Sequence, residues 1–221
     1  LTIVLIISLA TPALAMRVAY DFTGTVLPGG GTPYGESVPQ FTPVTGHFEF
    51  DTNSAQTHTI NSETAGYRQQ IPGGFFADFG SVSVVADDYI VAVNNGASQD
   101  SFIVRFVSDL LPPLTSPLLV EGNPQTAGIF DVNLIGSTTL YSDTSLPTSL
   151  TFGDFTGFNA GFLSDTPSGA VDVLYNVTSV QSGSVMTPEP ETWALAGSAL
   201  VLVLLLALRN RKKLRFRVGK R

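Results

Sequence analysis

Two histidines are the side chains of this sequence that could most readily bind a metal or transfer protons. His47 and His58 stand eleven residues apart, a spacing unlike that of the usual zinc motifs. His47 falls at an outward-facing position of a predicted strand, and His58 falls in a polar loop. We therefore expect both imidazoles to be solvated, and we expect neither a metal ion nor another cofactor.

Oxygen-bearing side chains in two short motifs could contribute to a calcium site. Asp51-x-Asn53 and Asp87-Asp88 offer the ligands that calcium prefers, but neither motif completes a calcium-binding loop. Asp and Asn also hydrogen-bond the backbone of turns, and we prefer that interpretation for both motifs.

The sequence lacks the motifs of several common enzyme classes. It has no Gly-x-Ser-x-Gly elbow, no Walker loop, no dinucleotide fingerprint and no cysteine. We expect a non-catalytic body, with two alternatives open. A carbohydrate-active enzyme would need two carboxylates about 5–10 Å apart in a groove. A carbohydrate-binding module would show a row of exposed, coplanar aromatic rings. Asn176-Val177-Thr178 matches a glycosylation acceptor, although a strand end explains it equally well.

The charges are divided unevenly along the chain. Residues 16–187 contain sixteen acidic side chains and three basic ones, whereas residues 209–221 contain eight basic side chains and no acidic one. Segments with such opposite charge usually occupy different surroundings. The acidic body also argues against nucleic acid as a partner, because phosphate binding needs a cationic surface.

Short runs of alternating apolar and polar residues predict an all-β body. Val18, Tyr20 and Phe22 alternate with polar or small residues, and about eight such runs are separated by turn residues. Asn94-Asn95-Gly96 predicts a hairpin between two of these runs. The expected fold is a single β-sandwich over residues 16–177, for which a jelly roll is one candidate form, followed by a polar linker over 178–187.

The N-terminal residues 1–15 predict a signal peptide. They form an apolar run that ends in Ala13-Leu14-Ala15, whose small side chains suit signal peptidase. We expect cleavage after Ala15, before Met16. A start at Met16 is the alternative, and it would remove the export signal.

The C-terminal part predicts a transmembrane helix over 192–208. This segment has no charged residue over seventeen positions and would span roughly 25 Å as a helix. A basic tail over 209–221 follows at once, and the positive-inside bias places it in the cytoplasm. The expected membrane stop consists of Arg209, Arg211, Lys212 and Lys213.

The segment before this helix carries a proline-bounded motif, Pro188-Glu189-Pro190. Proline fixes φ and removes a backbone donor, so the motif should be extended. Together with Thr-Trp-Ala-Leu, the apolar run and the basic cluster, it resembles the PEP-CTERM sorting domain of Gram-negative bacteria that make extracellular polysaccharide. Two features depart from this family: Glu191 stands at a position where serine is common, and the basic tail is longer than usual. The domain is also labelled an ice-binding protein C-terminal domain, a label that describes the sorting signal alone.

The resemblance implies a processing partner for residues 188–217. In that family the signal is recognised by exosortase, a membrane enzyme resembling a cysteine transpeptidase, with Pro188, Glu189 and Pro190 as the recognition motif. The sequence therefore predicts an exported surface or matrix protein that is first a single-pass precursor in the inner membrane, with its C-terminus in the cytoplasm. Exosortase, the inner membrane and an extracellular polysaccharide are the expected partners.

Overall fold

The computed structural model describes residues 16–108, 113–125, 127–165 and 172–185. Eleven strands and two short 3-10 helices, at Pro33–Gly35 and Phe152–Asp154, make up the regular structure of these residues. The strands are β1 Arg17–Val26, β2 Pro43–Asp51, β3 His58–Asn61, β4 Thr64–Asp78, β5 Ser83–Asn95, β6 Asp100–Val107, β7 Leu118–Val120, β8 Asn123–Gln125, β9 Ile129–Gly136, β10 Ala160–Ser164 and β11 Val173–Ser182.

Eight of these strands form a closed ring. Hydrogen bonds link them in the order β4-β2-β1-β11-β10-β9-β6-β5, and the pairing of β5 with β4 closes the ring. Every pairing is antiparallel, and the predicted hairpin joins β5 to β6. The short strand β3 extends from β4, while β7 and β8 extend from β5.

The predicted β-sandwich is wrong, because the sheet closes on itself as a barrel. Closure depends on β4, which pairs with β5 along its length and with β2 from Phe75 to Asp78. The register of β4 with β5 shifts between Gln70 and Phe75, and such irregularities bend a strand and increase its twist. Alternation along each strand is the same in a sandwich and in a barrel, so the sequence pattern did not distinguish them.

The predicted architecture of a body plus a transmembrane helix is also contradicted, and with it the single-pass membrane precursor. A spanning helix needs about 20 apolar residues, and none of the helices in the described ranges is long and apolar enough to cross a membrane. The segment 192–208 to which the helix was assigned lies outside those ranges, as do the signal peptide 1–15 and the sorting signal 188–217.

Aromatic side chains fill the interior of the barrel. The largest fully buried side chains include two tyrosines and seven phenylalanines: Tyr89, Tyr175, Phe22, Phe48, Phe50, Phe75, Phe79, Phe102 and Phe130. Phe75 stacks on Phe130 with ring centroids 4.1 Å apart. An eight-stranded barrel is just wide enough for side chains to fill it. The interior is therefore a packed core, and a functional site must lie on the outer face or at an end.

The segment 137–159, here called the end cap, covers one end of the barrel. Tyr20 Oη accepts a hydrogen bond of 2.7 Å from the Leu150 N–H, and Tyr67 Oη donates one of 2.8 Å to the Thr144 carbonyl. Leu146 and Phe155 join the hydrophobic core. This part of the chain also contains a 3-10 turn at Phe152–Asp154.

Candidate functional site

His47 is the buried centre of a charge network on the outer face of β1 and β2, in which the Asp21 side chain is exposed. Its Nδ1 is 2.6 Å from Asp21 Oδ1, and its Nε2 is 3.2 Å from Glu49 Oε1. The guanidinium of Arg17 lies 3.8 Å from Glu49, and the Phe76 ring stacks on the imidazole at 5.5 Å. His47 is only 2% exposed, so the prediction that it is solvated is wrong.

The network favours a protonated imidazole and holds both of its nitrogens. Burial by itself would lower the pKa of His47, but the hydrogen bonds and charges of Glu49 and Asp21 raise it above its ordinary value. Because carboxylates engage Nδ1 and Nε2, neither nitrogen is free to activate a nucleophile. We therefore interpret the network as a link between the outer faces of β1 and β2.

The residues of the two possible calcium motifs serve separate local roles. Asp51 Oδ1 accepts the backbone N–H of Asn53 at 2.8 Å, as the turn-capping interpretation expects. Asp87 Oδ1 accepts the Gly73 N–H at 2.7 Å, where β4 bends. In the described part of the chain, no three histidine or acidic residues form a group that could hold a metal ion.

Asp88 is the centre of a buried ion pair that sequence reasoning missed. Arg68 Nε and Nη2 donate to its two carboxylate oxygens at 2.7 and 2.5 Å, and the backbone and hydroxyl of Thr115 donate to Oδ2 at 2.6 and 2.7 Å. Burial would raise the pKa of Asp88, but these hydrogen bonds lower it. The pair joins β4 to β5, and the hydrogen bonds of Thr115 attach the loop segment 113–117 to it.

A second ion pair connects β6 to β9. Arg105 donates to Asp131 Oδ2 through Nε at 3.1 Å and Nη2 at 2.6 Å, and the Phe162 N–H donates to Oδ1 at 3.0 Å. Burial raises the pKa of Asp131 to about 6, although the charge and hydrogen bonds of Arg105 oppose the shift. Arg68 and Arg105 are two of the three basic residues in 16–187. Because basic residues are so scarce in this part of the sequence, each of them could have been singled out as a candidate for a specific acidic partner.

The possible glycosylation acceptor lies inside the barrel wall. Asn176 belongs to β11, which pairs with β1 on one side and β10 on the other. Its Oδ1 accepts the Thr25 N–H at 3.0 Å, so its side-chain carbonyl helps to hold β11 against β1. The strand interpretation of this position fits the structure.

Two small cavities lie outside the packed interior. The end cavity, of about 300 Å³, lies in the end cap and includes Tyr141, Asp154 and Phe155 in its lining. The side cavity, of about 260 Å³, is bounded by Phe106, the segment 114–117 and Gln125. Neither cavity has two carboxylates in its lining, which a glycosidase would need.

Exposed aromatic residues form no row among the described residues. The large exposed hydrophobic side chains there include two aromatic ones, Phe41 at 62% and Phe158 at 60%. Phe41 hydrogen-bonds Val26 at one end of β1, whereas Phe158 belongs to the end cap at the opposite end. This arrangement lacks the flat aromatic platform expected of a carbohydrate-binding module.

The residues predicted for processing fall almost entirely outside the described ranges. Met16 is described and exposed, directly before β1. The other predicted positions lie outside: Ala13, Ala15, Pro188, Glu189, Pro190, Arg209, Arg211, Lys212 and Lys213. Comparison with known proteins adds no relative, since no family model, no curated protein and no solved structure matches the chain.

Proposed function

We propose that the chain is an exported, non-catalytic surface or matrix protein that exosortase sorts and processes through Pro188-Glu189-Pro190. The tripartite order of the motif, the apolar run and the basic cluster is the sequence basis for this proposal. The body would act outside the cell, in association with an extracellular polysaccharide.

The main support for the proposal is that the barrel is already complete before the motif begins. The last strand, β11, ends at Ser182, and both of its edges are already paired, with β1 and with β10. The Gly183 N–H still bonds the Ala19 carbonyl, but the ring needs no strand beyond this point. A cut at the motif would therefore release an intact body, as a removable sorting signal requires.

The contacts of the buried ionisable side chains support a non-catalytic body. Asp88 and Asp131 bind arginines, and His47 has both nitrogens bound to carboxylates. Each of these groups has a structural role between strands. The alternative of a carbohydrate-active enzyme receives no such support from the carboxylates of either cavity.

The test compares the protein in a host with and without its exosortase gene. We expect the intact mass of the exported protein to be lower in the parent strain by the C-terminal segment, and the unprocessed form to accumulate after deletion. Glu189→Ala should have the same effect as deletion, whereas Glu191→Ala, just outside the motif, should leave processing unchanged. Identical masses and locations in both hosts would refute the proposal.

A further inference from the structure

The hairpin between β5 and β6 contains the one Asn-Gly pair of the sequence, Asn95-Gly96. β5 ends at Asn95 and β6 begins at Asp100, so residues 96–99 form the loop. Asn95 is partly exposed, and the three loop residues after Gly96 are exposed. Water therefore reaches the Asn95 side chain at the start of this loop.

The side-chain amide of Asn95 is not held by the protein. Across the described ranges it makes no hydrogen bond, whereas the amide oxygen of Asn94 accepts one from the Thr64 hydroxyl at 3.1 Å. Hydrogen bonds also engage the amides of four other asparagines: Asn61, Asn123, Asn159 and Asn176. The amide oxygen of Asn133 has no partner either, but it is buried and a leucine follows it. The Asn95 amide can therefore rotate without breaking a contact.

The backbone nitrogen of Gly96 is also unengaged. Its N–H makes no backbone hydrogen bond in the part of the chain that the structure describes. A Cβ at this position would lie 2.7 Å from the Gln99 carbonyl oxygen, so the turn requires glycine. Glycine leaves its nitrogen unshielded and tolerates the backbone rotation that brings this nitrogen to the preceding side chain. A nucleophile and an electrophile thus stand in adjacent residues without competing partners.

We propose that Asn95 is a site of spontaneous deamidation. When the loop opens locally, hydroxide removes the proton of the Gly96 nitrogen, which attacks Cγ of Asn95. The new C–N bond closes a succinimide ring, and the side-chain nitrogen leaves as ammonia. Water then adds to either imide carbonyl and opens the ring to aspartate or isoaspartate. The net reaction consumes one water molecule and releases one ammonia, so it needs no oxidant, reductant or enzyme.

The product places a negative charge opposite a buried carboxylate. Asn95 and Asp100 are register partners, and the Cβ atoms of directly opposed residues lie about 4.5–5.5 Å apart. Asp100 is fully buried, and like charges in opposed positions destabilise a sheet. Isoaspartate also adds a methylene group to the backbone at the end of β5. Deamidation therefore weakens the hairpin, and with it the barrel, as the protein ages.

The experiment incubates the purified 221-residue chain at several pH values and maps the products by peptide mass spectrometry. We expect Asn95 to become a mixture of aspartate and isoaspartate while Asn94 keeps its amide. The rate should rise about tenfold per unit of pH, because the attack needs a deprotonated nitrogen. Asn95→Gln is the matched control, since it keeps an amide but must close a larger ring, and position 95 should then stay unchanged. A parallel incubation in urea gives the rate in the unfolded chain.

Asn95→Asp measures the consequence for stability. At neutral pH its melting temperature should lie about 2–4 °C below that of Asn95→Gln, as expected for a like-charge pair in a body of this size. Three results would each overturn the proposal: conversion of Asn95 no faster than that of Asn94, conversion in urea but none in the folded chain, or equal melting temperatures of the two variants. Since no host enzyme takes part, these outcomes are independent of the exosortase test.

Discussion

Replacing Arg68 by methionine tests whether the β4–β5 pairing that closes the barrel depends on the buried ion pair. The side chain of Asp88 is 1% exposed and that of Arg68 is 17% exposed, so the substitution leaves a buried carboxylate without its cation. Breaking such a pair typically costs about 3–5 kcal/mol. Because Thr115 still donates two hydrogen bonds to Asp88, we expect the lower end of this range, about 3 kcal/mol.

The pH dependence of this loss provides a second, independent expectation. In the parent chain the folded-state pKa of Asp88 is lowered, so its contribution to stability is present above its unfolded pKa and is lost as the pH falls. In Arg68→Met, burial is left to raise that pKa, and protonation on acidification then relieves the unpaired charge. The difference in the free energy of unfolding between parent and variant should therefore be largest near pH 7 and shrink towards about pH 4.

Urea unfolding followed by circular dichroism at several pH values measures both quantities. At pH 7 a loss of about 3 kcal/mol corresponds to a fall in melting temperature of about 6–12 °C for a body of this size. Gln70→Met is the matched control, since Gln70 is exposed on the same strand and donates to Thr115 Oγ1 at 3.1 Å; it should cost less than about 1 kcal/mol. A loss in Arg68→Met no larger than in the control, or a loss that does not vary with pH, would refute the reasoning.

Three further predictions concern the completeness of the barrel, a buried hydroxyl and the histidine network. A chain ending at Val185 should keep the thermal unfolding midpoint of the 221-residue chain, because strands β1 to β11 are all retained; a lower midpoint would mean that later residues stabilise the body. Tyr89→Phe should lose about 1–3 kcal/mol in urea unfolding, since the buried Oη donates to the carbonyls of Glu49 at 2.6 Å and Gly74 at 3.0 Å. The raised pKa of His47 means that its stabilising contribution is full below about pH 6.5 and is lost as the pH rises through the folded-state value. The stability of the parent relative to His47→Gln should therefore decline as the pH rises above about 6.5, and a constant difference would contradict the protonated network.

The β class and most strand positions could be predicted because they depend on local alternation. Val18, Tyr20 and Phe22 were predicted to share a face, and Tyr20 and Phe22 are buried in the core. The hairpin at Asn94-Asn95-Gly96 likewise needs only short-range turn chemistry, and β5 and β6 pair as expected there. Closure into a barrel could not be predicted from local alternation. It depends on the bend in β4, which lets this strand pair with both β2 and β5.

The roles of the charged residues were decided by tertiary structure. His47 lies at an outward position, as the alternation predicted, yet Asp21, Phe76 and Glu49 surround it because their strands are neighbours in the barrel. The end cavity likewise arises only when residues 137–159 fold over one end of the barrel.

The sequence by itself determined the all-β class and the acidic body, and it predicted a sorting signal at 188–217, because composition, alternation and linear motifs are properties of neighbouring residues. Only the tertiary structure decided that the sheet closes, that Arg68 and Arg105 are paired, and that Tyr141 and Asp154 line one cavity. These features depend on strand register and loop docking, which bring together residues that are distant in the chain.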